Sequence, residues 1–243
     1  MAKKSIFDSL GLSETVSSIR EKINAGTSGA IFRRTSGVAD VIVVEHEDLV
    51  PADDGVATMR PRWVCSDFIV HAGRDAKLGQ DYEGVSVEIF INEKLIPGLE
   101  MKVRPDYSCC FEGEKLRPDP DALEKIGPLL NDGDNSIRYR LVGERAMFEL
   151  WGSVFKWRSS DRVVVCDIDG TVTRSDVLGY GAHLLGFDFS HQGVAEVLCQ
   201  VEEAGYRLLY LTARPISAAS ATRNLLRNVG MAARDDVERG VGC

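Results

Sequence analysis

Two aspartates one residue apart, Asp167 and Asp169, close the apolar run Val163–Cys166 and are followed by Gly170 and Thr171. An unbroken apolar run of this kind reads as a strand buried on both faces of a parallel sheet. In open α/β sheets the ligand lies beyond the carboxyl ends of the strands. Alternation along an extended strand end points Asp167 and Asp169 to the same side. Carboxylates crowded in this way repel each other, a cation relieves the repulsion, and hard oxygen donors suit Mg²⁺ better than zinc. One carboxylate is then placed to attack phosphorus and the other to give a proton to the leaving oxygen. Gly170 lets the backbone turn sharply, and Thr171 offers a hydroxyl to a phosphate oxygen or to the backbone. A second apolar run, Leu208–Leu211, delivers Thr212 to the same sheet edge, where its hydroxyl suits a phosphoryl oxygen. Arg214, two residues further on, is suited to brace a phosphate or a neighbouring carboxylate bidentately. The plainer alternative for the paired aspartates is a solvated turn at a strand end.

The elements that must carry these residues follow from periodicity. Ser190 is a candidate N-cap for a helix with Val194, Val197, Leu198 and Val201 inward, ended by Gly205. Ser217 is a candidate cap for a last helix with Ala221, Leu225 and Val229, stopped at Gly230. Upstream, Val38–Val44, Trp63–Val70, Val85–Ile91 and Met101–Val103 have strand composition, with Tyr107–Phe111 pairing with the last of them. Prolines and glycines over 112–136 mark a linker, with a short helix at Asp121–Ile126. Two more strand-like runs, Ile137–Val142 and Ala146–Phe155, precede the catalytic-type strand. Residues 3–24 read as an amphipathic helix with Phe7, Leu10, Leu12, Val16, Ile19 and Ile23 on its apolar side and Lys3, Lys4, Arg20 and Lys22 supplying positive charge.

The whole composition narrows the class. The chain has 243 residues, 44% apolar, 27% charged, with net charge −8, which argues against nucleic acid as a partner. The cysteines at 65, 109, 110, 166, 199 and 243 form no CxxC pair, and Cys166 and Cys199, which fall in apolar patterns, read as reduced core residues of an intracellular protein. No run reaches the ~18 apolar residues of a membrane span, and the N-terminus lacks a signal-peptide core.

Asp167-Ile-Asp-Gly-Thr is similar to the D-x-D-G-T signature of the haloacid-dehalogenase (HAD) phosphatases. With Val172-Thr-Arg-Ser-Asp-Val-Leu-Gly, Ser190-His-Gln-Gly-Val-Ala and Gly205-Tyr-Arg-Leu-Leu-Tyr-Leu-Thr-Ala-Arg-Pro, the stretch resembles the catalytic (LNS2) domain of the lipins, Mg²⁺-dependent phosphatidate phosphatases. Ala39-Asp-Val-Ile-Val-Val, Cys65-Ser-Asp-Phe-Ile-Val-His and Val87-Glu-Ile-Phe-Ile-Asn resemble the amino-terminal lipin region. The resemblance implies an α+β chain: an N-terminal amphipathic helix (1–26), a lipin N-terminal-like β region (27–115), a linker (116–136), strands completing an immunoglobulin-like β-sandwich (137–158), and a partial HAD-like Rossmannoid α/β domain (159–243).

It further implies that Asp167 is the nucleophile, forming an aspartyl-phosphate and binding Mg²⁺. Asp169 is then the general acid, with its backbone carbonyl on the metal, and Thr212 binds the phosphoryl group. Gly170, Thr171, Arg174 and Arg214 fall to substrate binding, and Ser175 and Asp176 to the same signature loop. The partner is a phosphatidate-containing membrane met by the N-terminal helix, and the location cytoplasmic, peripheral to the endoplasmic reticulum or nuclear envelope. A HAD site needs a later Lys or Arg and a later acidic metal ligand, yet only 29 residues follow Arg214 and none is Lys. The catalytic domain is therefore expected to be incomplete at its C-terminal end. A non-catalytic, phosphatidate-binding protein is the alternative expectation.

Overall fold

The computed structural model describes residues 36–51, 57–73, 83–142, 147–174 and 190–238. The expected amphipathic helix, with Phe7, Leu10, Leu12, Val16, Ile19 and Ile23, lies outside the described residues, as do Ser175, Asp176 and Cys243. The chain is mixed α+β and divides into two compact units, one of residues up to Ser159 with Pro215–Ser217, the other of Ser160–Arg214 with the residues from Ala218 onward.

In the larger unit the strands are β1 (Gly37–Val38), β2 (Val41–Pro51), β3 (Ala57–Cys65), β4 (Val70–His71), β5 (Ser86–Ile91), β6 (Lys94–Val103), β7 (Cys109–Cys110), β8 (Gly133–Val142) and β9 (Met147–Arg158). Seven of them form one sheet in the order β3-β2-β9-β8-β5-β6-β7, and β1 pairs separately with β4. Strands from the two expected β segments are thus interleaved. β2 runs parallel to β9, with Val41 opposite Val154, while β5 is antiparallel to β8, with Ile89 opposite Tyr139. The β2–β3 ladder runs on through Asp48, which pairs with Arg60.

Alternation decides the two faces of this sheet. Ile137, Tyr139 and Leu141 of β8 are fully buried, with Val87 and Ile89 of β5 and Met101 of β6 beside them. Between them Arg138 and Arg140 point the other way. Arg138 reaches Glu149 at 2.6 Å and lies 4.0 Å over the Phe90 ring, and Arg140 reaches Glu88 at 2.6 Å. Cross-strand ion pairs and cation–π stacking cover the face that the core does not.

The stretch read as a linker packs into this core. Its helix α1 (Pro120–Ile126) starts with proline in its first turn, where a missing N–H costs nothing, and buries Leu123 and Ile126. Leu130 follows them into the same cluster. Gly127, at the end of α1, lies under the Trp63 indole, so that a Cβ there would run into the ring. Asn135 anchors the turn into β8. It is 2% exposed, its amide donates to the Asn131, Gly133 and Val154 carbonyls, and its oxygen accepts from Asn131 N at 2.8 Å and Asn92 Nδ2 at 2.8 Å. Asn135→Ala leaves these groups without a partner and is expected to cost about 1–3 kcal/mol, read as a lowered urea midpoint at unchanged slope.

The smaller unit holds β10 (Arg162–Asp167), α2 (Val194–Glu203), β11 (Tyr206–Leu211) and α3 (Ala219–Glu238). β10 and β11 are parallel, Val164 opposite Leu208 and Asp167 opposite Leu211. Such a pair needs a crossover, and α2 lies within it. Four local expectations are corrected. Val163–Cys166 is half-buried, since among the described residues β10 pairs with β11 alone. The residue preceding α2 is Gly193, in the left-handed region at φ 77°, while Ser190 forms an extended bridge to Thr173 and is unavailable as a cap. Val197 is 57% exposed and lies off the inward face. Finally, α3 runs through Gly230 to Glu238, because an isolated helical glycine costs only about 1 kcal/mol and Met231, Ala232, Ala233 and Arg234 after it favour helix.

Candidate active site

Strand β10 ends in Asp167, and the chain then turns. Ile168 drives its side chain into the core of the smaller unit (1% exposed), with Val172, Leu225 and Val229. Burial of the residue between them leaves Asp167 exposed and Asp169 half-buried, off the core side. The turn closes on one carbonyl. Ile168 O accepts from the N–H groups of Val172 at 3.0 Å and Thr173 at 2.9 Å, and from the Thr173 hydroxyl at 3.2 Å. Gly170 stands at φ 90°, a backbone that a side chain would strain, and Thr171 is exposed on the turn.

The parallel register carries β11 to the same edge, since the Ile168 N–H donates to Leu211 O at 3.0 Å. Thr212 follows immediately and donates its hydroxyl to Asp169 Oδ2 at 2.7 Å. Arg214 donates through Nε to Oδ1 at 2.9 Å and Oδ2 at 3.2 Å, and through Nη2 to Oδ1 at 2.6 Å. The side chains of this ion pair are 7% and 15% exposed. Arg214 is itself held, its Nη1 donating to Thr222 Oγ1 at 3.4 Å and its backbone N to Thr212 Oγ1 at 3.2 Å.

Asp169, Thr212 and Arg214 are therefore brought together, and Asp167 stands at the strand end two residues away. Arg174 is turned elsewhere: its Nε donates to Ser190 O at 2.9 Å, tying the turn to the segment before α2. Two residues with a part in this geometry went unread in the sequence. Thr173, 1% exposed, pins the turn, and Thr222, 7% exposed, props Arg214 from α3. Thr173 carried a signal, as the second Thr of Gly-Thr-Val-Thr. Thr222 carried none, because only the packing of α3 brings it to Arg214.

Burial also acts on several thiols. Burial pushes the Cys65 and Cys109 thiols up to about 12, and burial followed by the Asp167 charge raises Cys166. A protonated thiol is a poor nucleophile, and the Asp167 carboxylate is exposed at the end of β10. Burial, then the charge of Glu202, pushes Tyr210 up to about 12, and its hydroxyl stays protonated.

The smaller unit thus sets an exposed and a clamped carboxylate at the ends of two parallel strands, the edge at which open α/β sheets hold their ligands. The LNS2 (Lipin/Ned1/Smp2) family matches residues 114–237, about half of the chain. The chain is 38% identical over 114 residues to nuclear elongation and deformation protein 1 of Schizosaccharomyces pombe, covering 47% of this chain and 17% of that protein. It is 29% identical over 214 residues to phosphatidate phosphatase PAH1 of Arabidopsis thaliana, covering 78% and 22%. It is 31% identical over 176 residues to human phosphatidate phosphatase LPIN3, covering 68% and 20%. The chain belongs to the lipin family. The matched segments span about a fifth of these relatives' own length.

Proposed function

We propose that the chain is a phosphatidate phosphatase of lipin type, hydrolysing phosphatidate to diacylglycerol and phosphate. The observation that carries this reading is the convergence of Asp169, Thr212 and Arg214 at the strand end that presents Asp167, in a member of this family. Relatives named phosphatidate phosphatase support the substrate.

In this reading Thr212 and Arg214 hold phosphoryl oxygens. An Asp167 oxygen attacks phosphorus, the ester P–O bond breaks, and Asp169, once it has taken a proton from solvent, gives that proton to the departing glycerol oxygen. Asp169 then takes a proton from water, which attacks the aspartyl-phosphate, releases inorganic phosphate and restores Asp167. Gly170 and Thr171 border the phosphoryl site on the turn, and Arg174 braces that turn through Ser190.

Mg²⁺ is the cofactor of this proposal. The donors that fit it are the exposed Asp167 carboxylate and the Asp169 backbone carbonyl, both hard oxygens. Among the described residues no group of three or more His, Cys, Asp or Glu is gathered for a metal. Two protein oxygens suit Mg²⁺, which keeps several waters. When bound, the ion offsets negative charge on phosphate and carboxylates. The immunoglobulin-like sandwich and the HAD-like α/β unit belong to the same reading. So does docking of the N-terminal apolar face, Phe7 to Ile23, on a phosphatidate-containing membrane at the cytoplasmic side. No helix among the described residues is long and apolar enough to cross one.

The test is phosphate release from phosphatidate in mixed micelles. The expected result is release with Mg²⁺ and loss of release on chelation. Lipid-dependent binding without release would favour the second reading, a non-catalytic phosphatidate-binding protein.

A further inference from the structure

A carboxylate offers about four acceptor sites. On Asp169 three donors engage both oxygens: Arg214 Nε, shared between Oδ1 at 2.9 Å and Oδ2 at 3.2 Å, Arg214 Nη2 at 2.6 Å on Oδ1, and Thr212 Oγ1 at 2.7 Å on Oδ2. In this arrangement both Asp169 oxygens are engaged by donors from the protein, and Arg214 offers its carboxylate-matching edge to the protein itself. The two sides of the pair are anchored differently. Arg214 is propped by Thr222 on α3 and by its own backbone bond to Thr212, whereas Asp169 sits on the turn beside Gly170.

We propose that Arg214 is a shared group. A phosphoryl dianion displaces the Asp169 carboxylate from the guanidinium, and this exchange, resting on the phosphoryl-transfer reading above, is what frees Asp169 for proton transfer. Arg214 stays on its Thr222 prop and changes only its acceptor. The planar fork that grips two carboxylate oxygens grips two phosphoryl oxygens equally well, and the ligand's second negative charge favours the change. Without a phosphoryl ligand the pair is closed on itself, and the site is at rest.

The exchange is tested by binding, without metal and without turnover. Inorganic phosphate is titrated by calorimetry into the full chain, Asp169→Asn and Arg214→Lys, at constant ionic strength held with chloride. Asp169→Asn removes the competing charge and is expected to bind phosphate about tenfold more tightly, since a charged hydrogen bond is no longer given up. Arg214→Lys keeps the charge, loses the fork, and is expected to bind about tenfold more weakly. Asp169→Asn leaves a buried guanidinium less well paired, so a second measurement uses the wild-type chain. There the Arg214 Nε–H resonance, assigned by its loss in Arg214→Lys, shifts saturably as phosphate is added.

Phosphatidate in detergent micelles, against phosphatidylcholine micelles, forms a separate arm. A response to both phosphates places the recognition on the phosphoryl group, and a response to the lipid alone places it on the ester. Both outcomes support the exchange. Asp169→Asn binding neither inorganic phosphate nor phosphatidate more tightly than the wild-type chain, or an Arg214 resonance unmoved by either ligand, overturns it. Phosphate release that survives such a result leaves the enzyme reading standing. Exchange without release removes hydrolysis and keeps the phosphoryl site.

Discussion

Asp167→Asn is expected to lower phosphate release from phosphatidate by about 10³-fold or more at an almost unchanged melting temperature. The amide is nearly isosteric with the carboxylate, but its nitrogen lone pair is delocalised and its oxygen carries no full charge, so attack on phosphorus is lost. Stability is expected to hold because Asp167 is exposed at the end of β10, and exposed substitutions usually change stability by about 0.5 kcal/mol or less. Its backbone place in the ladder, opposite Leu211, does not depend on the side chain. The check is parallel initial rates in mixed micelles and thermal melts of the two proteins. Retention of more than about a tenth of the wild-type rate would remove Asp167 from the role of nucleophile, whereas a large drop in melting temperature would assign the loss to folding.

Phe68→Ala is expected to destabilise the larger unit by about 3–5 kcal/mol. Phe68 is fully buried and meets Phe111 edge to face, with ring centroids 5.4 Å apart and planes at 78°. Its N–H donates to Leu116 O at 2.8 Å, so the irregular stretch between β3 and β4 is fastened to the segment after β7 just where the rings meet. Truncation removes the ring contacts and opens a void that this fastened backbone is poorly placed to fill. Urea unfolding followed by the fluorescence of Trp63, Trp151 and Trp157 reports the loss as a lowered midpoint. A shift equivalent to less than about 1 kcal/mol would show that the core closes over the gap. A cavity term of this size is a large share of a typical domain's 5–15 kcal/mol.

Much of the larger unit was legible because its strands obey a period of two. Ile137-Arg-Tyr-Arg-Leu alternates so strictly that both the core face and the charged face follow from it. The short α1 helix was legible at Asp121–Ile126, and the β10 turn was announced by Asp-x-Asp-Gly-Thr. Where the reading failed, composition stood in for context. Proline and glycine over 112–136 resembled a linker, yet Leu123, Ile126 and Leu130 are core residues, since three apolar side chains suffice to bind a proline-flanked turn of helix to a sheet. Gly230 resembled a stop, but a helix ends where a left-handed residue and its capping bonds are favourable, which one glycine does not impose.

The site divides in the same way. The residue types and their order along the chain determined that carboxylates, a hydroxyl and a guanidinium meet at the ends of two parallel strands, because strand polarity sends every C-terminal end to one edge. Sequence left open whether Arg214 would brace a phosphate or a carboxylate. Tertiary structure alone decided that it closes on Asp169, that Thr222 props it from α3, and that Arg174 is spent on Ser190. Each of these contacts depends on the rotation of a helix or the path of a turn in three dimensions. Those are set by which apolar side chains fill the core, Ile168 and Val172 against Leu225 and Val229, and no local spacing encodes them.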